Sequence, residues 1–298
     1  MTQSLRVQGQ VFCALALMLI IACVIGIRLD PLHELLAAAA LISLLGMPHG
    51  ALDVVLARKL FRVYDFKGWA VFSLFYVGLA AGVVGVWFVA PTLFLAAFLV
   101  MSALHFGGDP STGATLPARI LYGGAVIVLP ALWHGVELQR LLGWVVAPTS
   151  AAVVASVLSH LATPWLASTV LACALQARKS RLAACELAAL AALSVMAPPL
   201  TAFTLYFCAM HSPRHILRTL ASWHGFEARN ALLLALWPTL AVFAVWAAIG
   251  WLMRDSSIET RVMQLVFVGL AALTLPHVIL LERVRQINVS ARSWRSAR

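Results

Sequence analysis

The sequence predicts an all-α, polytopic transmembrane bundle of about eight to ten membrane segments. Three observations predict it, of which two are compositional: 62% of the 298 residues are hydrophobic and only 11% are charged. Soluble domains carry about 25% charged residues, and so much apolar surface cannot be hidden in one soluble core of this length. The third observation is the arrangement of the apolar residues in long runs, without the alternating polarity of a transmembrane β-barrel.

A helix needs about 20 apolar residues to cross the hydrocarbon core. Ten candidates follow in order, at about 9–27, 35–57, 68–90, 91–107, 117–135, 150–176, 184–198, 199–217, 231–253 and 262–282. The first is read as a retained helix, because its run is long for a signal peptide and lacks a clear A-x-A site. The pair around Pro198-Pro199 is the least regular and is alternatively one kinked segment with a re-entrant piece. Pro48, Pro130, Pro164 and Pro276 fall in or beside apolar runs and predict kinks or breaks. Residues 1–298 read as one transmembrane domain, with a motif-bearing core at about 46–282 and a basic tail at 283–298.

The net charge of +10 does not form a nucleic-acid-binding face, because the basic residues collect in short connections between apolar runs. With the N-terminus in the cytoplasm, only Arg28, Arg140, Arg254 and Arg261 fall outside. That asymmetry predicts cytoplasmic N- and C-termini and a multi-pass protein of the cell membrane. Cys13, Cys23, Cys173, Cys185 and Cys208 form no C-x-x-C pair, so neither a disulfide framework nor a zinc ribbon is implied.

Five histidines sit inside or at the ends of these apolar runs, in four blocks: GMPHGALD (His49, Asp53), LHFGGD (His105, Asp109), MHSPRH (His211, His215) and LPHVILLE (His277, Glu282). Ionisable groups at membrane depth are costly and are read as a functional site by default. In the topology above, the helices carrying the blocks all run from outside to inside, with each histidine in the later half. The blocks then share one depth, towards the cytoplasmic leaflet, as a metal site between helices requires. His211 and His215 stand four apart and project from one helix face. His49/Asp53 and His105/Asp109 share that spacing. Each such pair is either two ligands, or a ligand whose second N–H the carboxylate takes. Imidazole suits iron, copper, zinc or nickel. By contrast, His33, His134, His160 and His224 lie near loops or helix ends and fit a hydrogen-bonding role. Gly46, Gly50, Gly107 and Gly108 flank the blocks, where glycine permits close backbone approach, and Phe106, Phe203, Tyr206, Phe207 and Trp223 crowd the same level.

Taken together, G-x-P-H-G-A-L-D, H-F-G-x-x-D, the Tyr206-Phe207-Cys208 run leading to His-Ser-x-Arg-His, and G-L-A-A-L-T-x-P-H resemble the Brp/Blh family of bacterial and archaeal membrane β-carotene 15,15′-dioxygenases. The resemblance spans about Gly46 to Glu282. It implies cleavage of the central double bond of β-carotene by O₂ at a non-haem Fe²⁺, giving two molecules of retinal. It also implies a functional link to a retinal-binding rhodopsin. The family's ligand positions fall on His49, His105, His211 and His215. Asp53, Asp109 and His277, with Tyr206, Phe203 and Phe106, are then expected around the metal or against the substrate. Three rival classes remain. A metal-ion or proton transporter would also use intramembrane histidines and acids. A di-iron desaturase needs more histidine boxes than the one His-x-x-x-His here, and a carotenoid-binding carrier would hold no iron.

Overall fold

The computed structural model describes residues 3–61, 63, 65–110, 114–221 and 228–296. Trp223 and His224 lie outside the described residues. The chain folds as α1 (Gln3–Val24), α2 (Pro31–Leu41), α3 (Pro48–Ala51), α4 (Asp53–Phe61), α5 (Phe66–Val89), α6 (Pro91–Phe106), α7 (Leu116–Val128) and α8 (Gly135–Val145). It continues as α9 (Pro148–Ala177), α10 (Arg181–Met196), α11 (Pro199–Tyr206), α12 (Ser212–Ala221), α13 (Ala228–Leu252), α14 (Ile258–Met263) and α15 (Gly269–Ser296). Among the described residues there is no strand.

Helix starts follow local chemistry. Pro opens α2, α3, α6, α9 and α11, where a missing N–H is harmless. Asp30, Asp65, Ser180 and Ser257 accept from N–H groups in the first turn of the helices they precede.

Six helical spans among the described residues are long and apolar enough to cross a bilayer: Gln3–Val24, Pro31–Arg58, Phe66–Val89, Pro148–Ala177, Leu233–Leu252 and Ile258–Val284. The α7–α8 pair, bent by 112°, makes a seventh if counted as one span. The ten predicted segments all coincide with helix, but several are not full crossings. Helices α6 and α10 have 16 residues each, so they reach about 24 Å at 1.5 Å per residue. The hydrocarbon core is about 30 Å thick. The Pro199–Ala221 stretch ends in a half that carries Arg214, His215 and Arg218. Much of α10 and α11 is buried inside the bundle, where short or irregular helices are tolerated at membrane depth. Helix α8 was not anticipated: it is short and of mixed polarity, and it follows a 3₁₀ turn at Leu129–Leu132 that contains Pro130.

Three π-helical turns interrupt the spans, at Ile42–Gly46, Phe207–His211 and Gln264–Val268. Each adds a residue to its turn and shifts the faces that follow. Such turns are frequent at functional sites. All three lie on spans that carry block histidines.

Candidate metal centre in an apolar cavity

The GMPHGALD block illustrates how local sequence sets the site. The π turn ends at Gly46, and Pro48 has no N–H with which to resume the ladder. The Gly50 N–H bonds Met47 O at 3.1 Å rather than Gly46 O, and side chains reach the carbonyls of Leu45 and Gly46. Ser212 Oγ donates to them at 2.8 and 3.2 Å, and His49 Nδ1 donates to Gly46 O through a short hydrogen bond. Because Nδ1 carries the hydrogen, the Nε2 lone pair of His49 is left for another partner. Gly46 must be glycine: a Cβ there would lie 2.3 Å from the Phe207 ring.

All five block histidines meet. His49 lies 5.1, 5.5 and 5.5 Å, between ring centroids, from His211, His215 and His277. His105 lies 4.8 Å from His211 and 5.1 Å from His277, and His215 lies 5.0 Å from His277. His49, His105 and His277 each offer a ring nitrogen, all within 4.8 Å of one another. Phe207 braces the cluster, stacked on His211 at 5.5 Å and edge-on to His49 at 5.4 Å. Phe106 packs on His211 at 4.7 Å.

The carboxylates serve histidines, but not those of their own blocks. Asp109 accepts from His211 Nδ1 at 3.0 Å, and Asp53 accepts from His277 Nδ1 at 2.7 Å. The sequence spacing had paired Asp109 with His105 and Asp53 with His49. Neither pairing forms because neither block is one continuous helix. Helix α6 ends at Phe106, so Asp109 lies beyond it, and α3 ends at Ala51 before α4 begins at Asp53. Each acid thus takes the Nδ1–H of a histidine on another segment of the chain.

Two tyrosines complete the arrangement. Tyr206 donates to Asp109 at 2.6 Å, and Tyr76 donates to Asp53 at 2.9 Å. Tyr76 was not anticipated; its signal was a tyrosine hydroxyl in the otherwise apolar run of α5, three residues after Ser73. Behind Asp109 lies a second unanticipated layer. Arg214 pairs with Glu186 at 2.7 Å and bonds Gln8 at 2.8 Å and the Asp109 carbonyl at 3.3 Å. Arg218 bonds the carbonyls of Gly108 and Asp109, each at 2.7 Å. Glu186 stands alone among apolar residues of α10 and was findable as an intramembrane charge.

The histidines face a cavity of about 610 Å³ lined by His49, His105, His211 and His277 together with Phe106, Phe203, Phe207, Phe72 and Trp69. Its other wall is formed by α5 and α13. Val77 and Trp237 line it yet are 63% and 74% exposed, so the cavity reaches the outer surface of the bundle there. A smaller cavity of about 100 Å³ shares Phe98, Ser102, Phe106 and Phe203 with it. Tyr206 is fully buried and is not part of the wall of either cavity.

The donor set fits a metal ion. Nδ1 of His49, His211 and His277 is engaged as a donor, which leaves Nε2 as the lone-pair nitrogen. The Nε2 atoms of His211 and His277 are buried without a hydrogen-bond partner. Such orphaned atoms are rare in the absence of a water or ion, and several converging neutral imidazoles suit a first-row transition metal.

Fold and site together define a polytopic membrane protein with a buried multi-imidazole centre opening on an apolar cavity. The chain belongs to the β-carotene 15,15′-dioxygenase family, whose model matches residues 40–284. It is 29% identical over 258 residues to the β-carotene 15,15′-dioxygenase of uncultured marine bacterium 66A03, covering 82% of this chain and 92% of the relative. It is 28% identical over 296 residues to the probable β-carotene 15,15′-dioxygenase Blh of Halobacterium salinarum, covering 85% of each. No solved structure matches. The dioxygenase relatives imply a metal cofactor, and the family match favours an oxygenase over a transporter.

Proposed function

We propose that this protein cleaves the central 15,15′ double bond of β-carotene with O₂, giving two molecules of all-trans-retinal. The observation that carries the reading is the convergence of buried histidines on an aromatic, apolar cavity in a chain of this family. The balance closes without a reductant: both bonds of the alkene break, each carbon gains one oxygen atom, and O₂ supplies both.

Fe²⁺ would be held by His49, His105, His211 and His215, and when bound it would supply O₂ activation. The chain's own residues do the rest. Asp109 and Tyr206 hold the His211 ring, and Phe207 fixes its plane. The cavity wall excludes water and offers a hydrocarbon no polar handle, so position along the polyene is set by shape. The aromatic wall at Phe98, Phe106 and Phe203, where the two cavities adjoin, suits a molecule cut in its middle. β-Carotene dissolves in the bilayer and enters sideways past α5 and α13.

The whole chain acts as one transmembrane domain in the cell membrane, with both termini and the metal end towards the cytoplasm. A retinal-binding rhodopsin is the proposed consumer of the product.

The test is expression in a β-carotene-producing bacterium, with chromatography of the extracted pigments beside a His49→Ala control. Loss of β-carotene with matching retinal, absent in the control and in chelator-treated membranes, is the expected result. Intact β-carotene with an iron-loaded, membrane-inserted protein would overturn the substrate assignment.

A further inference from the structure

Five imidazoles meet in this cluster, one more than the four expected ligands, and the fifth is as well directed as any. His277 reaches the cluster from α15 and is 3% exposed. Its ring lies 5.5 Å from His49, 5.1 Å from His105 and 5.0 Å from His215. With His49 and His105 it forms the trio of ring nitrogens within 4.8 Å. Its Nδ1 donates to Asp53 Oδ1 at 2.7 Å, and the other oxygen of Asp53 accepts from Tyr76 at 2.9 Å. With Nδ1 protonated, Nε2 is a lone pair, buried and unpartnered.

The chain Tyr76–Asp53–His277 repeats Tyr206–Asp109–His211 with residues from three other helices. In both, a tyrosine anchors a buried carboxylate, and the carboxylate sets the tautomer and angle of an imidazole. A carboxylate on the far nitrogen is the usual means of aiming a histidine at a metal. A histidine that merely bridged helices would spend Nε2 on a second hydrogen bond. This one leaves that atom unpartnered within an imidazole cluster, where a cation is the partner that several lone pairs can share.

We infer that His277 is itself a ligand of the metal, and that Asp53 and Tyr76 are positioning residues that act through it. The inference rests on the metal centre of the proposed function.

The experiment uses purified full-length protein in detergent, loaded with Fe²⁺. Iron stoichiometry, affinity against a competing chelator and the iron K-edge absorption spectrum are compared for wild type, His277→Gly, Asp53→Asn and Tyr76→Phe. His277→Gly is expected to lose at least about tenfold in affinity and to change the imidazole scattering in the spectrum. Free imidazole, filling the vacated space, should restore both, which a structural role would not allow. Asp53→Asn is expected to lose about 10–100-fold, and Tyr76→Phe less, as is usual for groups behind a ligand. A folded His277→Gly protein with wild-type affinity and an unchanged spectrum overturns the inference. Should that variant fail to fold, unchanged affinity and spectrum in both Asp53→Asn and Tyr76→Phe overturn it equally. A wild-type protein that binds no iron overturns instead the proposed metal centre on which the inference rests.

Discussion

Asp109→Asn probes the centre with almost no change in size. Asp109 is buried and accepts from two donors, Tyr206 at 2.6 Å and His211 Nδ1 at 3.0 Å. An asparagine has one acceptor oxygen and one amide that only donates. Tyr206 and His211 share Oδ2, and His211 Nδ1 also lies 3.2 Å from Oδ1. If the asparagine oxygen takes the Oδ2 place, it can accept from both, but the amide N–H₂ is set against the His211 Nδ1–H and the charge that favours that tautomer is gone. If it takes the Oδ1 place, the Tyr206 hydroxyl loses its acceptor in a dry environment, at a cost of about 1–3 kcal/mol. Either branch loosens the hold on the His211 ring. The expected loss is about 10–100-fold in iron affinity, equivalent to about 1.4–2.7 kcal/mol. Arg214 and Arg218 hold the Asp109 backbone carbonyl rather than its side chain, so the fold around it should persist. The assay is an Fe²⁺ titration against a competing chelator, run beside the rate of retinal formation. A monodisperse Asp109→Asn protein with wild-type affinity and rate would refute the assignment of Asp109 as the residue that directs His211.

Gly46→Ala places a methyl group against the Phe207 ring that braces His49 and His211. Overpacking of this kind costs about 1–3 kcal/mol, so a lower thermal midpoint and weaker iron retention are expected together. Arg214→Met strands Glu186 as an unpaired buried charge and should destabilise by about 3–5 kcal/mol, while Arg214→Met with Glu186→Leu recovers much of it. Detergent melts of the two variants check this. Phe203→Trp fills the wall common to both cavities, so cleavage should fall or move away from the central bond with iron content unchanged. Tyr206→Phe should instead lower iron retention, since Tyr206 acts on Asp109 and not on the cavity wall; chromatography and metal analysis separate the two.

What the sequence by itself determined is the solvent of this protein and which of its ionisable side chains gather inside the bundle. Hydropathy assigned the bilayer, because 62% hydrophobic residues admit no other solvent at this length. The cost of ionisable groups at membrane depth then singled out His49, His105, His211, His215 and His277, and these five meet in the structure. The partnerships needed the tertiary structure. Asp53 and Asp109 sit four residues after a histidine, which on an unbroken helix would pair them. Pro48, the helix end at Phe106 and the π turns break that geometry, and the acids bond histidines 224 and 102 residues away. Tyr76 likewise becomes meaningful only once α5 lies beside α4 and α15. Spacing along a chain specifies contacts only as far as one regular helix extends. Beyond its first break, packing decides which imidazole nitrogen is left unpartnered in the cluster and which N–H a carboxylate takes.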